Sequence, residues 1–315
     1  MLAVGTRLQD FTTGSRAVLP GRARLIQLNV AGFDAHKHGA MPLVGDALRT
    51  LDELGAALEG YAAPPAWQAR VMGLAAEWNT AVDVATAPGL ELPTDAQVLG
   101  AVNRAAGPNG TVVCAAGGLP GELHKLWRSS EPGGYHLEYG FSCMGYEIAG
   151  GLGVKLARPE RDVFVMVGDG SYLMLNSELH TSVMLGRKLV VTVLDNRGYG
   201  CINRLQQACG GAPFNNLIED VDHRVDETWV DFAAHARSLG AMAEAVDGIA
   251  GLEAALARAK AAERTCVIVI RTDPLHTTAE GGAWWDVAVP EVSARGQVRE
   301  AHTGYERARA AQAMG

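Results

Sequence analysis

Residues 162–171 read DVFVMVGDGS, and this stretch decides the fold. It is apolar without alternation from Val163 to Val167, as a short strand buried on both faces of a parallel sheet should be. Two glycines then flank an aspartate, so the backbone can turn sharply before a helical pattern begins. Residues 188–194 (KLVVTVL) repeat the plan and end in DNRGYG at 195–200. Working outward, 111–115 and 266–271 are further strand candidates, and 144–156, 173–185, 231–239 and 249–261 are helix candidates. Short apolar strands alternating with helices predict an α/β fold, a doubly wound and mostly parallel sheet flanked by helices. Ligands of such sheets sit beyond the carboxyl ends of the strands, so the residues just after each strand are the ones to inspect.

There the aspartate is informative. Free N–H groups at a helix start attract an anion, and Asp169 would repel it. A cation lying between carboxylate and phosphate resolves the conflict, and Mg²⁺ commonly bridges the two through oxygen ligands. Asn196, after the neighbouring strand, offers a neutral side-chain oxygen, and the carbonyl of Gly198 offers another. Any single Gly-Asp-Gly is more often a surface turn; the same triplet after one buried strand, with Asn-x-Gly after the next, is far more specific. By contrast, Gly150-Gly151-Leu152-Gly153 lies within a helical pattern with no strand before it, which favours close helix packing over a dinucleotide loop.

Composition narrows the function classes. A hydrophobic content of 48% with 20% charged residues is ordinary for a globular chain of 315 residues. The net charge of -8 and the lack of basic runs exclude a nucleic-acid surface. Five scattered cysteines without a CxxC pair argue against a disulfide framework or structural zinc, and fit a reducing cytoplasm. His36 and His38 have no partnering cysteines and read as loop residues rather than metal ligands. No apolar stretch approaches the roughly 20 residues that cross a bilayer, so no membrane association is expected.

The start of the chain reads differently from its middle. Met1 to Gly5 resembles the end of a buried strand with no leader before it, and 24–30 (RLIQLNV) is a second strand candidate. A helix is expected near 45–58 and another from Trp67 to Val82, before a proline-containing boundary that reaches Pro93. An opening inside a strand leaves two readings: a short edge strand, or a domain cut short. An Ala/Arg-rich tail near residue 306 reads as a terminal helix.

The Gly168-Asp169-Gly170-Ser171 motif, with Asn196 standing 27 positions after Asp169, resembles the thiamine diphosphate (ThDP) motif of the acetolactate synthase and pyruvate decarboxylase superfamily. The resemblance implies that Asp169, Asn196 and the Gly198 carbonyl hold Mg²⁺. Gly168, Gly170 and Ser171 would then face the diphosphate, with Tyr199 of the same turn as a cofactor contact. Phe141-Ser142-Cys143-Met144-Gly145 is similar to the segment that grips the aminopyrimidine, with Met144 as the apolar wedge and the Ser142 carbonyl toward the 4′-amino group. Ala116-Gly117-Gly118 resembles the loop that passes the cofactor. The runs CAAGGLPGELHKLWR (114–128), GGYHLEYGFSCMGYEIAGGLGVKLA (133–157), GDGSYLMLNSEL (168–179), AWWDVAVPEVS (283–293) and VGTRLQDFTTGS (4–15) narrow it further. They resemble the trihydroxycyclohexane-dione hydrolases of inositol catabolism. That family opens a small polyhydroxylated cyclic 1,2-diketone to 5-deoxyglucuronate, and the cofactor adduct serves as electron sink for carbon–carbon cleavage.

Members of that family carry a pyrimidine-binding domain, a middle domain and a diphosphate-binding domain. Residues 1–60 resemble only the carboxyl-terminal part of the middle domain, and 61–315 the diphosphate-binding domain with a tail. The activating glutamate of the first domain has no counterpart here; Glu138 and Glu147 are the tempting stand-ins, Glu147 reading as structural. The expected partner is therefore a pyrimidine-binding domain from another chain or from a missing amino-terminal half, in a homo- or hetero-oligomer. His136, His124 and Lys125 are candidates for contacting substrate: histidine for proton transfer near neutral pH, lysine for an enolate oxygen. Cys143 has no evident base and is not expected to act as a nucleophile. The competing readings are a decarboxylase or carboligase of the acetolactate synthase type, and a truncated product without catalysis.

Overall fold

A computed structural model describes residues 1–19, 23–89, 91–138, 140–223, 225, 229–282 and 285–312. Tyr139, Ala283 and Trp284, within the runs that carry the resemblance, lie outside the described residues. The chain forms two units: Met1–Glu77 with Cys209–Gly211 and Gly281–Gly315, and Trp78–Ala208 with Ala212–Glu280.

The first unit is built on three short parallel strands, β1 (Leu2–Val4), β2 (Ile26–Asn29) and β3 (Met41–Val44), in the order β1-β2-β3. Helices α1 (Asp10–Thr13), α2 (Gly32–Ala35) and α3 (Ala47–Ala57) connect or follow them. β2 is the buried centre, and the side-chain amides of Gln27 and Asn29 both donate to the Thr6 carbonyl (3.0 and 3.1 Å). Of the two readings of Met1 to Gly5, the short edge strand describes β1 here: among the described residues it pairs with β2 alone, and of its three residues only Ala3 is buried. His36 and His38 bond separate backbone carbonyls, those of Gly32 and Leu8, and so brace the loop.

α4 (Pro65–Thr86) carries the chain into the second unit. There α5 (Asp95–Ala106), β4 (Gly110–Cys114), α6 (Leu119–Leu126), β5 (Tyr135–Leu137), α7 (Tyr146–Ala157) and β6 (Asp162–Gly168) come first. Then follow α8 (Asp169–Met174), α9 (Glu178–Met184), β7 (Val190–Asp195), α10 (Gly200–Ala208), α11 (Phe232–Ser238), β8 (Met242–Val246), α12 (Gly248–Ala261) and β9 (Cys266–Arg271). The last helix, α13 (Gly296–Ala311), belongs to the first unit.

The six strands form one parallel sheet, ordered β5-β4-β6-β7-β9-β8. Alternate residues divide it into two cores. Val112, Cys114, Phe164, Met166, Val190 and Ile268 pack with α5, α6 and α12, while Val113, Val165, Val191 and Val267 pack with α7, α9 and α11. Each such side chain, fully withdrawn from water, contributes about 1.5–3 kcal/mol before the entropy of ordering is counted. The chain leaves β4 toward one edge and β6 toward the other, so the loops after these two strands flank a crevice at the carboxyl ends.

Several elements depart from expectation. The single helix expected at 173–185 is two, α8 and α9, and α8 begins at Asp169 itself. α5, α6 and α10, and the strands β3, β5 and β8, were not anticipated from periodicity. Gly150 and Gly151 lie inside α7: a Cβ on Gly151 would collide with Val165, as close packing against β6 requires, and one on Gly150 would collide with the Tyr146 ring of the same helix.

A candidate cofactor and metal site

Four segments meet at the carboxyl end of the sheet: the loops after β4, β6 and β7, and the amino end of α7. Asp169, nearly fully buried, opens α8 directly after β6. Its Oδ1 accepts from the Gly170 N–H (2.9 Å) and its Oδ2 from the Gly198 N–H (2.9 Å). Burial first, then the neighbouring Asp195, pushes its carboxyl up to about 7 against those two N–H donors. A buried carboxylate so disfavoured as an anion gains from an adjacent cation. The Oδ1 of Asn196 is buried and has no hydrogen-bond partner among the described residues. An orphaned acceptor of that kind calls for a ligand or an ion. No cluster of three or more His, Cys, Asp or Glu side chains suited to a metal occurs among the described residues. A cation here would draw on the Asp169 carboxylate, the Asn196 amide oxygen and the Gly198 carbonyl, an all-oxygen set that fits Mg²⁺.

The turn that presents these groups needs its particular residues. Gly198 has φ +150°, and a Cβ there would strike the Asn216 carbonyl. A Cβ on Gly170 would lie 2.8 Å from the Tyr199 ring, so glycine lets Tyr199 pack on the motif. Asp195 fixes the turn from within: one oxygen accepts from the Arg197 N–H (3.1 Å) and the other from the Trp229 indole (3.0 Å).

Glu147 ties the other segments together. Its carboxylate accepts from the Ser171 hydroxyl (2.8 Å), the Gly145 N–H (3.0 Å) and, more weakly, the Ala116 N–H (3.4 Å). Burial raises its pKa above the usual carboxylate range. This is the structural role expected of it. The Ser171 hydroxyl, expected to face a diphosphate, is thus turned inward, and it also accepts from the Gly145 N–H (2.7 Å). Segment 141–145 is held by Glu138, whose oxygens accept from the Phe141 and Cys143 N–H groups (3.0 and 2.7 Å) and whose pKa those bonds lower. Ser142 adopts φ +54°, and Met144 is part-exposed at the edge of this turn. Gly118 caps α6 at the end of the β4 loop, beside Gly117 at φ +87°.

The three candidate substrate contacts are not brought together. Tyr135 and His136 are neighbours on β5 and point to opposite faces of the sheet. His136 meets the Tyr146 hydroxyl on the α7 side (2.8 Å), whereas His124 approaches the Tyr135 hydroxyl on the other (3.4 Å). Burial lowers the His124 pKa, which favours a neutral ring. The Lys125 ammonium donates to the Thr278 carbonyl (2.7 Å), while Glu122, one turn earlier, accepts from the Thr278 N–H and hydroxyl (3.1 and 2.5 Å). Lys125 therefore anchors the segment after β9 rather than standing ready for an enolate. Glu147 and Asp195 organise the site with partners remote in sequence.

Residues 115–270 match the family described as thiamine pyrophosphate enzyme, C-terminal TPP binding domain. Apart from 209–211, that stretch lies within the second unit and is what makes it similar to the cofactor-binding domain of the thiamine pyrophosphate enzymes. More narrowly, nearly the whole chain is similar to curated proteins named 3D-(3,5/4)-trihydroxycyclohexane-1,2-dione hydrolase. The protein of Halalkalibacterium halodurans is 36% identical over 96% of this chain and 51% of its own length, and that of Listeria monocytogenes serovar 1/2a is 37% identical over the same shares. The Bacillus subtilis relative is 34% identical over 98% of this chain and 52% of its own length. The chain spans about half the length of the curated relatives it matches, consistent with a carboxyl-terminal part. Among solved structures, the Rhodococcus jostii RHA1 thiamine diphosphate-dependent 4-hydroxybenzoylformate decarboxylase superposes with a TM-score of 0.64 at 21% identity. It covers 81% of this chain and 45% of that one, a likeness of fold.

Proposed function

We propose that this chain is the Mg²⁺- and ThDP-binding portion of a hydrolase that cleaves a carbon–carbon bond in a cyclic 1,2-diketone. Its substrate is trihydroxycyclohexane-1,2-dione, its product 5-deoxyglucuronate, and its setting inositol catabolism in the cytoplasm. The observation that carries the reading is the buried Asp169 carboxylate beside a turn whose Asn196 Oδ1 lacks a partner among the described residues. Residues 1–60 are then the carboxyl-terminal part of a middle domain, and 61–315 the diphosphate-binding domain with its tail.

Asp169, Asn196 and the Gly198 carbonyl would hold the metal, with Gly168 and Gly170 close to the diphosphate and Tyr199 packed beside it. Met144, Ser142 and Gly118 would line the path of the organic rings. When bound, ThDP supplies a carbon nucleophile and an electron sink for the cleavage. The chain's own contribution is orientation: Glu147 fixes the β4 loop, the α7 start and Ser171 relative to one another, and Asp195 fixes the metal turn. Of the three substrate candidates, His136 keeps a proton-transfer role through its hydrogen bond to Tyr146, being on the face of the sheet that α7 covers. Glu138 is committed to the 141–143 turn, so activation of the cofactor falls to a glutamate on a pyrimidine-binding domain outside this chain.

The test is a calorimetric titration of the chain with Mg²⁺ and ThDP, repeated on Asp169→Ala, then ring opening of the dione with and without the amino-terminal half of a relative. Heat that disappears in Asp169→Ala, with turnover only when the second half is added, is the expected result. Equal heats from both proteins would remove the metal assignment. Enzymatic turnover by the chain alone would overturn its dependence on a partner.

A further inference from the structure

Arg204, on α10, is absorbed by none of the roles above. Its Nη1 donates to the carbonyl of Pro274 in the segment after β9 (2.5 Å). Its Nη2 lies against the α-carbon of Gly118, where any Cβ would collide with it. At the foot of the same helix, the Cβ position of Gly200 would be 3.4 Å from Arg204 Nη1, 3.3 Å from Asn196 Nδ2 and 3.1 Å from the Pro274 carbonyl. Behind the guanidinium stands Asp95 at the start of α5, buried, attracted to Arg204 and with an Oδ1 that finds no partner among the described residues. The far end of the Pro274 segment is gripped at Thr278 by Glu122 and Lys125.

From this arrangement we infer that Arg204 is a positioning residue that locks the Gly117-Gly118 loop, the Asn196 turn and the segment 273–278 into one frame around the cofactor. A planar guanidinium suits the task, because its fork can serve two directions at once while the stem lies along the protein. Glycine at 118 is the other half of the device, since it leaves room for the guanidinium to lie against the backbone. The tie between the loops stands on geometry alone; its consequence for the cofactor rests on the proposed function.

The experiment is amide hydrogen exchange on the full chain for the natural sequence, Arg204→Met, Arg204→Lys and Gly118→Ala, followed by titration with Mg²⁺ and ThDP. Arg204→Met should speed exchange at least tenfold in 116–123 and 273–280 and leave β6 and β7 unchanged. Arg204→Lys, which keeps the charge but loses the fork, should behave alike. Gly118→Ala should loosen 273–280 as well, because the displaced guanidinium releases Pro274. Exchange unchanged in Arg204→Met, or a Gly118→Ala effect confined to its own loop, overturns the tie. If Gly118→Ala does not fold, the two Arg204 variants decide. ThDP affinity in Arg204→Met should fall at least tenfold, and affinity equal to the natural chain refutes the positioning role. Should the natural chain itself take up no ThDP, the proposed function fails while exchange still decides the tie.

Discussion

Asp95 shows how much a single buried carboxyl can weigh on this molecule. Burial is the leading cause that pushes it up to about 6, opposed by Arg204 and the Thr272 hydroxyl and reinforced by Glu122 and Asp273. Its folded pKa is therefore above that of the unfolded chain, near 3.8. The stability linked to this group is fully present below about pH 4 and is lost as the pH rises through 6. Relative to the natural chain, Asp95→Asn should gain up to about 3 kcal/mol between pH 4 and pH 8. Urea unfolding of both proteins at the two pH values checks the sign: the natural chain should gain relative to Asp95→Asn as the pH falls, and a natural chain that loses ground on acidification would contradict it. Gly198 offers a second test. With φ +150° and the Asn216 carbonyl behind it, Gly198→Ala should cost about 1–3 kcal/mol and weaken Mg²⁺ binding together, read by unfolding and by calorimetry. At this scale the nearness of Asp169 to the 196–198 turn was readable from sequence, because each directly follows an unmistakable strand. Glu147 reads as structural but its partner Ser171, 24 positions away, does not follow from the sequence, and neither do the roles of Asp195 and Arg204, whose partners Trp229 and Pro274 are 34 and 70 positions away.

Among the elements, those buried on both faces announced themselves and those at the edges did not. β6, β7 and β9 are uniform apolar runs in the middle of the sheet, legible to within a residue or two. β5 and β8 are the outer strands; β5 has three residues and β8 alternates Met, Ala and Glu, so neither carries the pattern of a buried strand. α5 did leave a mark that periodicity alone passes over. Thr94 and Gln97 form a capping box, the threonine hydroxyl accepting from the Gln97 N–H and the glutamine oxygen accepting from the Thr94 N–H. Because α5 is buried along most of its length, the cap bears on the whole second unit. Thr94→Ala should destabilise it by about 1 kcal/mol, seen as a lower urea midpoint at unchanged slope. The split of the expected 173–185 helix has its own local cause. Asn176 turns its side-chain amide back to the Tyr172 carbonyl, and α9 then begins afresh at Glu178.

Across the whole molecule the two units differ in how well they cover their own apolar surface. The second has a sheet with a core on each face. The first leaves Val30 71%, Phe33 82% and Leu48 69% exposed, and α3 buries none of its residues. Apolar area of that kind marks a docking or self-association surface. The isolated chain should therefore associate in a concentration-dependent way, and Val30→Ser with Leu48→Ser should reduce this in sedimentation velocity. Association unaffected by the pair of substitutions would place the sticky surface elsewhere.

One feature of the second unit reaches beyond chemistry. All six strands point the same way, so every loop of the proposed site lies at one end, and the opposite end is made of the links 107–109, 127–134, 158–161, 185–189, 239–241 and 262–265. A lineage can rewrite those links, or an engineer can lengthen one to carry a tag, without disturbing the reactive end. Innovation and upkeep are thereby housed at opposite poles of a single sheet.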